Sequence, residues 1–541
     1  MRLKATLLCA VLAALSLSAF QPVDNPMTRA VLKVYEEQLK ADPTDWDTWL
    51  RAANEYYTHS EYSRALNDVD NALKYIPADN KDDRFRALML RASIYQQTGQ
   101  KEPELTDLNS AVAIDPTSYV AIYQRANCLY ELERYAEAKT DYKRLQAMNS
   151  RSVEALVGQA RIAVKENNLG LANEMLDQAV AIDPNNADYY VRRATVRRSM
   201  GNHRGAVEDL LLALSTDANN ERATRQLIEY SNTNYQDVIT GLTAAIEQAP
   251  NVAMFVYLRA TIAQTHFHYT AALEDYQRIL DRQLSTYNGI YASMAQCQLA
   301  LCRYEQALDN VDRAISLDKE DADRLVLKSQ ILRALGRTDE AVTAAARATV
   351  LAPGQSVPLT ELGLCYAAQQ KYDQAVELFG EVSMNNPDQP ESFMLRAWLM
   401  AAHLHQPVAA AGFYNHVADL PLDYKDINSL RGFALLFNGH NLEARDWIEL
   451  IINTVPDNDG FINFMGACFY AQAAAGAPDA AAPADSEDTA RALSCMERSL
   501  NLGYANRYNW TANNDGRITV APLRTLPAFT ALLDRFSHLF N

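Results

Sequence analysis

The chain has 541 residues, 48% hydrophobic and 22% charged, a balance that excludes wholesale disorder. Its net charge of −17 disfavours nucleic-acid phosphate and anionic membrane as general partners. The length suits either several ordinary domains or one long array of repeats. At the N-terminus, Arg2 and Lys4 precede the apolar run Ala5 to Leu17, and Ser16-Leu17-Ser18-Ala19-Phe20 offers small residues for cleavage. This three-part pattern predicts a signal peptide over 1–20 and an exported protein. No later apolar run approaches spanning length, so no membrane span is expected after cleavage.

Asp24-Asn25-Pro26 starts a helix, and Thr28 to Lys40 reads as a lone second helix ended by Asp42-Pro43, a cap over 21–45. From Trp46 onward, small and apolar residues return with a period of 34. The copies are Trp46 to Asp79, then, after an insertion at Asn80 to Arg84, Phe85 to Ser118, Tyr119 to Ser152, Val153 to Asn186 and Ala187 to Asn220. A degenerate unit from about Glu221 to Val252 has a short first helix and is expected to kink the array, ending a block over 46–252. A second block, 253–504, holds Ala253 to Thr286, Asn288 to Asp321, Ala322 to Gln355, Ser356 to Gln389, Pro390 to Asp423 and Lys425 to Asn458. Its last copy is interrupted: Asp459 to Tyr470 and Thr489 to Leu502 flank an Ala/Pro/acid-rich stretch at 472–489, expected to be a flexible surface loop. Residues 505–541, with Pro527, Phe529, Leu532 and Leu533, leave the period and are expected to cap the end.

Ser356 to Gln389 is the best-preserved copy. Leu359, Leu362, Gly363 and Tyr366 mark one amphipathic helix, Ala375, Phe379 and Val382 a second, and Pro387 closes the unit. This placement resembles the tetratricopeptide repeat, with Leu359 in place of the leading Trp. The resemblance runs from Trp46 to about Tyr504. It implies an all-α, right-handed superhelical solenoid of about thirteen helix hairpins with terminal caps, whose first helices line a groove for a protein or peptide.

Comparing the copies separates framework from candidate site. Arg91, Arg125, Arg193 and Arg259 precede the small residue of a first helix, and Asp107, Asp141, Asp209 and Asp275 precede the large residue of the following second helix; they are predicted to form structural ion pairs. Cys128, Cys297, Cys365 and Cys468 share one address and read as buried. Cys468 and Cys495 fall on opposing helices and are the one disulfide to be tested. Carrying the commonest groove-facing address of the family through the copies gives Asn54, Asn127, Arg161, Gln296 and Gln330 as polar candidates, with Arg198 near them, and Trp398 and Phe433 as apolar ones, joined by Met394 and Phe437.

The carboxylate clamp of chaperone-binding members is absent, since Leu50, Leu90, Val120 and Gln124 hold its places. No nucleophile, phosphate-loop or metal motif is present, so neither an enzyme nor a cofactor is expected. His266/His268 and His403/His405, spaced i, i+2, are expected on different sides of a helix. Asp457-Asn458-Asp459-Gly460 reads as a helix-capping junction rather than a calcium loop. The reading is a non-enzymatic protein-binding or peptide-binding scaffold, periplasmic or cell-surface in a Gram-negative bacterium. A glycan binder and an architectural envelope subunit are the alternatives.

Overall fold

The computed structural model describes residues 26–284, 289–317, 321–421, 425–454, 459–477, 480–513 and 518–540. The predicted signal peptide and Asp457-Asn458 lie outside the described residues. Those described form α-helices and two 3-10 turns, with no strand among them. The chain divides between Leu227 and Ile228 into two compact units, inside a helix rather than at 252.

In the first unit the helix Pro26–Ala41 precedes five hairpins: Trp46–Thr58 with Tyr62–Tyr75, Lys81–Gln97 with Lys101–Ile114, Tyr119–Glu131 with Tyr135–Met148, Val153–Lys165 with Leu169–Ile182, and Ala187–Ser199 with His203–Thr216. In the second, Ala253–Thr265 pairs with Tyr269–Asp281, Gly289–Ala300 with Tyr304–Leu317, Ala322–Ala334 with Thr338–Leu351, and Ser356–Ala368 with Tyr372–Asn385. Pro390–Ala402 with Pro407–Asp419, Lys425–Phe437 with Asn441–Thr454, and Gly460–Ala475 with Glu487–Asn501 complete it. Each first helix packs on its own second helix, and that second helix on the next first helix. The hairpin array expected from the sequence is therefore present within each unit.

Local chemistry sets the helix starts. Asp45, Ser118, Ser152, Asp321 and Asp459 each accept from the N–H three residues on, satisfying donors that a helix leaves open. Asp459 is thereby a cap, as expected. Between the helices of a hairpin the chain reverses through one left-handed residue, supplied by Gly99, Gly201, Gly336 and Gly439 in some copies and by Ser60, Glu133, Asn167, Phe267, Cys302 and Gln370 in others. Close approach explains the small residues: a β-carbon on Gly363 would stand 2.5 Å from the Phe379 ring.

Three departures from strict periodicity have local causes. The insertion Asn80 to Arg84 becomes extra helix, because Asn80 caps Asp83 and the helix Lys81–Gln97 runs 17 residues where its counterparts have 13. In the degenerate unit the two helices merge into Glu221–Gln248, kinked at Asn234, whose φ of −133° and ψ of 46° are not helical. The expected loop at 472–489 is shorter and tied down. Helix continues to Ala475 and restarts at Glu487, while the buried Ala482 donates its N–H to the Pro522 carbonyl at 2.9 Å.

The C-terminal segment does more than cover the last hairpin. Trp510 packs edge-on against Phe464 at 4.8 Å and donates to the Tyr504 carbonyl, while Arg524 donates to the carbonyls of Trp510 and Asn513. The same segment reaches hairpins early in the unit: Tyr504 meets Phe267 at 4.6 Å, Tyr508 meets Tyr304, and Thr511 lies 3.6 Å from Cys302.

Candidate functional site

The four predicted ion pairs form a framework ladder. Arg91, Arg125 and Arg259 each grip the Asp sixteen residues later with two N–H groups at 2.6–2.7 Å, and Arg193 does so with Asp209 at 2.6–3.2 Å. The remaining nitrogen reaches back to the preceding second helix, to Asn109, Asp177 and Thr243 sixteen residues earlier and, from Arg91, to Asp70 at a separation of 21, the difference being the five-residue insertion. Each arginine therefore ties three helices. Arg396 and Arg431 share the address without the acid. Their guanidinium groups lie over the rings of Phe413 and Trp447 at 4.4 and 4.5 Å, and their Nε atoms are buried without an acceptor.

The polar row lies at the surface. Asn54 and Arg198 are exposed, and Asn127, Arg161, Gln296 and Gln330 half-buried. Arg161 sits 3.9 Å over the Tyr130 ring and donates to Glu131 at 3.0 Å. Two amides are oriented from below. The buried Tyr142 hydroxyl donates to Asn127 Oδ1 at 2.7 Å, and burial pushes that phenol's pKa up, keeping it a donor. Tyr276 donates to Gln264 Oε1 at 2.8 Å, and Gln264 Nε2 donates to Gln296 Oε1 at 2.9 Å. Both Asn127 and Gln296 thus accept through their amide oxygens from within the fold, and their NH2 groups are the remaining donors. Tyr130, three residues after Asn127 on one helix face, and Gln264 were not among the sequence candidates; only their spacing signalled them.

Two of the four apolar candidates, Met394 and Phe433, require correction, whereas Trp398 and Phe437 are half-buried. Met394 is 5% exposed and Phe433 fully buried, the latter edge-on to Phe469 at 5.7 Å. Trp398 packs on Ala375, Phe379 and Leu399, and Phe437 against Tyr414 and Phe433. The rings they meet, Phe469, Tyr414 and Phe379, belong to neighbouring hairpins. Cys468 and Cys495 are free thiols, so the tested disulfide is not formed. Burial raises Cys128 and Cys365 to about 12 and Cys495 to about 11, leaving them protonated framework residues.

The histidine pairs are also placed differently from expectation. His266 and His268 lie in a turn around left-handed Phe267, which brings both rings onto Tyr235 at 4.8 and 4.7 Å. His403 stacks on Tyr372 at 4.3 Å. No group of three or more metal-ligating side chains occurs among the described residues.

Serial helix hairpins tied by ion pairs in a fixed register define an all-helical repeat protein. Tetratricopeptide-repeat models match residues 85–118, 123–187, 294–356 and 332–399. The chain is a tetratricopeptide-repeat protein. It is similar to Tetratricopeptide repeat protein 16 of Mus musculus, 22% identical over 67% of this chain and 48% of that one. It also resembles the DnaJ homolog subfamily C member 7 homolog of Schizosaccharomyces pombe, 24% identical over 50% of this chain and 63% of that one. Mitochondrial import receptor subunit TOM34 of Mus musculus is 32% identical over 21% of this chain and 38% of its own. The chain thus spans between about a third and two-thirds of the length of these relatives. Among solved structures, yeast Tom70 aligns with 76% of this chain and 99% of its own at 14% identity and a TM-score of 0.35. The type IV pilus biogenesis factor PilW aligns with 38% and 99% at 18% identity and 0.32.

Proposed function

We propose that the protein is a non-enzymatic scaffold that binds an acceptor-rich peptide segment at the polar first-helix residues of its N-terminal unit, Asn54, Asn127, Arg161 and Arg198. The observation that carries this reading is Asn127, whose oxygen accepts from Tyr142 within the fold, which leaves its NH2 group to donate to a ligand. A peptide backbone offers carbonyl acceptors, and an acidic side chain would exchange with Glu131 for Arg161. A framework already held by its own ion pairs needs little ordering on binding. Protein binding is also the family's general use, and Met394 and Phe433 of the apolar set are buried, so we assign the contact to the polar hairpins of the first unit.

We further propose export to the bacterial envelope, on the N-terminal charge and hydropathy pattern alone. The test of binding is a pull-down from envelope extract with wild type, Asn127→Asp and Arg161→Ala. Asn127→Asp keeps the shape and turns a donor into an acceptor, so a partner held by these donors is lost from both variants; undiminished recovery removes the assignment. Alkaline phosphatase fused after Thr58 reports export, and an inactive fusion removes that part.

A further inference from the structure

The helix Tyr269–Asp281 borders a cleft of about 570 Å³, closed on its other side by Met294 and Gln298 of Gly289–Ala300 and by Arg303. Three guanidinium groups line it, Arg278, Arg282 and Arg303, against two carboxylates, Glu274 and Asp281. That is a local positive excess in a chain whose net charge is −17. One of the two acids is already engaged by an amide, since Gln277 Nε2 donates to Asp281 at 2.7 Å. Arg278 Nε has no acceptor although it is buried, and the Thr270 hydroxyl at the other end of the cleft is buried without a partner as well.

The molecule contains its own comparison. Arg144 stands at the same address of an earlier second helix and donates to the carbonyl of Pro116, 28 residues before it. Arg278 stands at the same separation from Pro250, yet it lines the cleft. Cations near a helix C-terminus offset its dipole. That role accounts for the charge of Arg278 and Arg282, but it requires neither a cavity nor a buried Nε without an acceptor.

We propose that this cleft is an anion-binding site that takes a small ligand through a phosphate or carboxylate group, with Arg278 as principal donor and Arg282 and Arg303 beside it. A planar guanidinium matches two oxygens of either group, and the volume falls within the roughly 300–1,000 Å³ of small-ligand pockets. The site uses the face of a second helix and is independent of the polar row on the first helices.

Isothermal titration of the purified full chain with sodium phosphate and, separately, sodium glutarate at constant ionic strength tests it. The expected result is saturable binding of one titrant with a Kd below about 1 mM. Arg278→Gln should weaken it by at least about tenfold, a loss of about 1.4 kcal/mol, and Asn127→Asp should leave it unchanged. The preferred titrant identifies the anionic group. No saturable binding of either, or equal affinity in Arg278→Gln, overturns the proposal. Circular dichroism checks each variant's fold, and Arg282→Gln carries the same comparison if Arg278→Gln does not fold.

Discussion

Asp68 occupies in the first hairpin the address that Asp107, Asp141, Asp209 and Asp275 hold in later ones. Sixteen residues before it, where those hairpins carry arginine, stands Ala52, 2% exposed. Sixteen residues before Ala52 is Glu36 on the helix Pro26–Ala41, at the address of Asp70. The two carboxylates thus flank a position from which the cation is missing. Asp68 is 7% exposed and accepts from the Asn67 amide, and burial pushes its pKa up to about 6. A carboxyl whose folded pKa is raised contributes stability below its unfolded value near 4, and that contribution is lost as pH rises through about 6. Two outcomes follow at this scale. Asp68→Asn should stabilise the protein at pH 7 by on the order of 2 kcal/mol, with the advantage vanishing near pH 4, as read by urea denaturation at both pH values. Ala52→Arg should stabilise at pH 7 by completing the fork, by about 1–3 kcal/mol, and the gain should disappear in the Asp68→Asn background.

At the scale of the element, one address is used in two chemistries. Arg125 meets Asp141 with two charge-assisted hydrogen bonds in a site where Asp141 is buried. Arg396 meets instead Gly380 and the Phe413 ring, with Gly412 at the address of the acid, and burial lowers its pKa. Arg125→Met should therefore cost about 3–5 kcal/mol, since it strands a buried carboxylate, whereas Arg396→Met should cost about 1 kcal/mol or less. Comparative chemical denaturation of the two variants decides it; equal losses would mean that the rings replace the acids fully. The ladder was legible in the sequence because charge recurs at a fixed separation of sixteen. The aromatic positions were not: Phe433 sits at an address that is polar in other hairpins, and only its packing on Phe437 and Phe469 shows that it turns inward. The turns show the same limit. Glu133 and Phe267 both hold the left-handed residue of a hairpin, at φ of 59° and 66°. Glycine relieves that strain, so Glu133→Gly should be neutral or stabilising by up to about 1 kcal/mol, whereas Phe267→Gly also removes a ring packed on Tyr504 and should destabilise.

Within the C-terminal unit, the contact that organises the whole is the one least visible in the chain. A closing segment after the last repeat was expected from the need to cover an open end, but its docking on hairpins some 200 residues earlier has no periodic signature. The residues that receive it, Phe267, His268, Cys302 and Tyr304, look in sequence like ordinary turn positions; only the folded unit brings the C-terminal segment to them. Trp510 is fully buried between the segment and the last hairpin, and Arg524 ties its carbonyl to the rest of the cap. Trp510→Ala should cost about 3–5 kcal/mol by leaving a cavity. More specifically, it should release the segment at both ends of its reach, because Tyr504, Tyr508 and Thr511 are held by the same short stretch as the tryptophan. Hydrogen exchange of the intact chain should rise in Gly460–Ala475 and, together with it, in the turns at 266–269 and 301–304, while Tyr119–Glu131 in the other unit stays as protected as in wild type. An increase confined to Gly460–Ala475 would show that the distant turns do not depend on the cap.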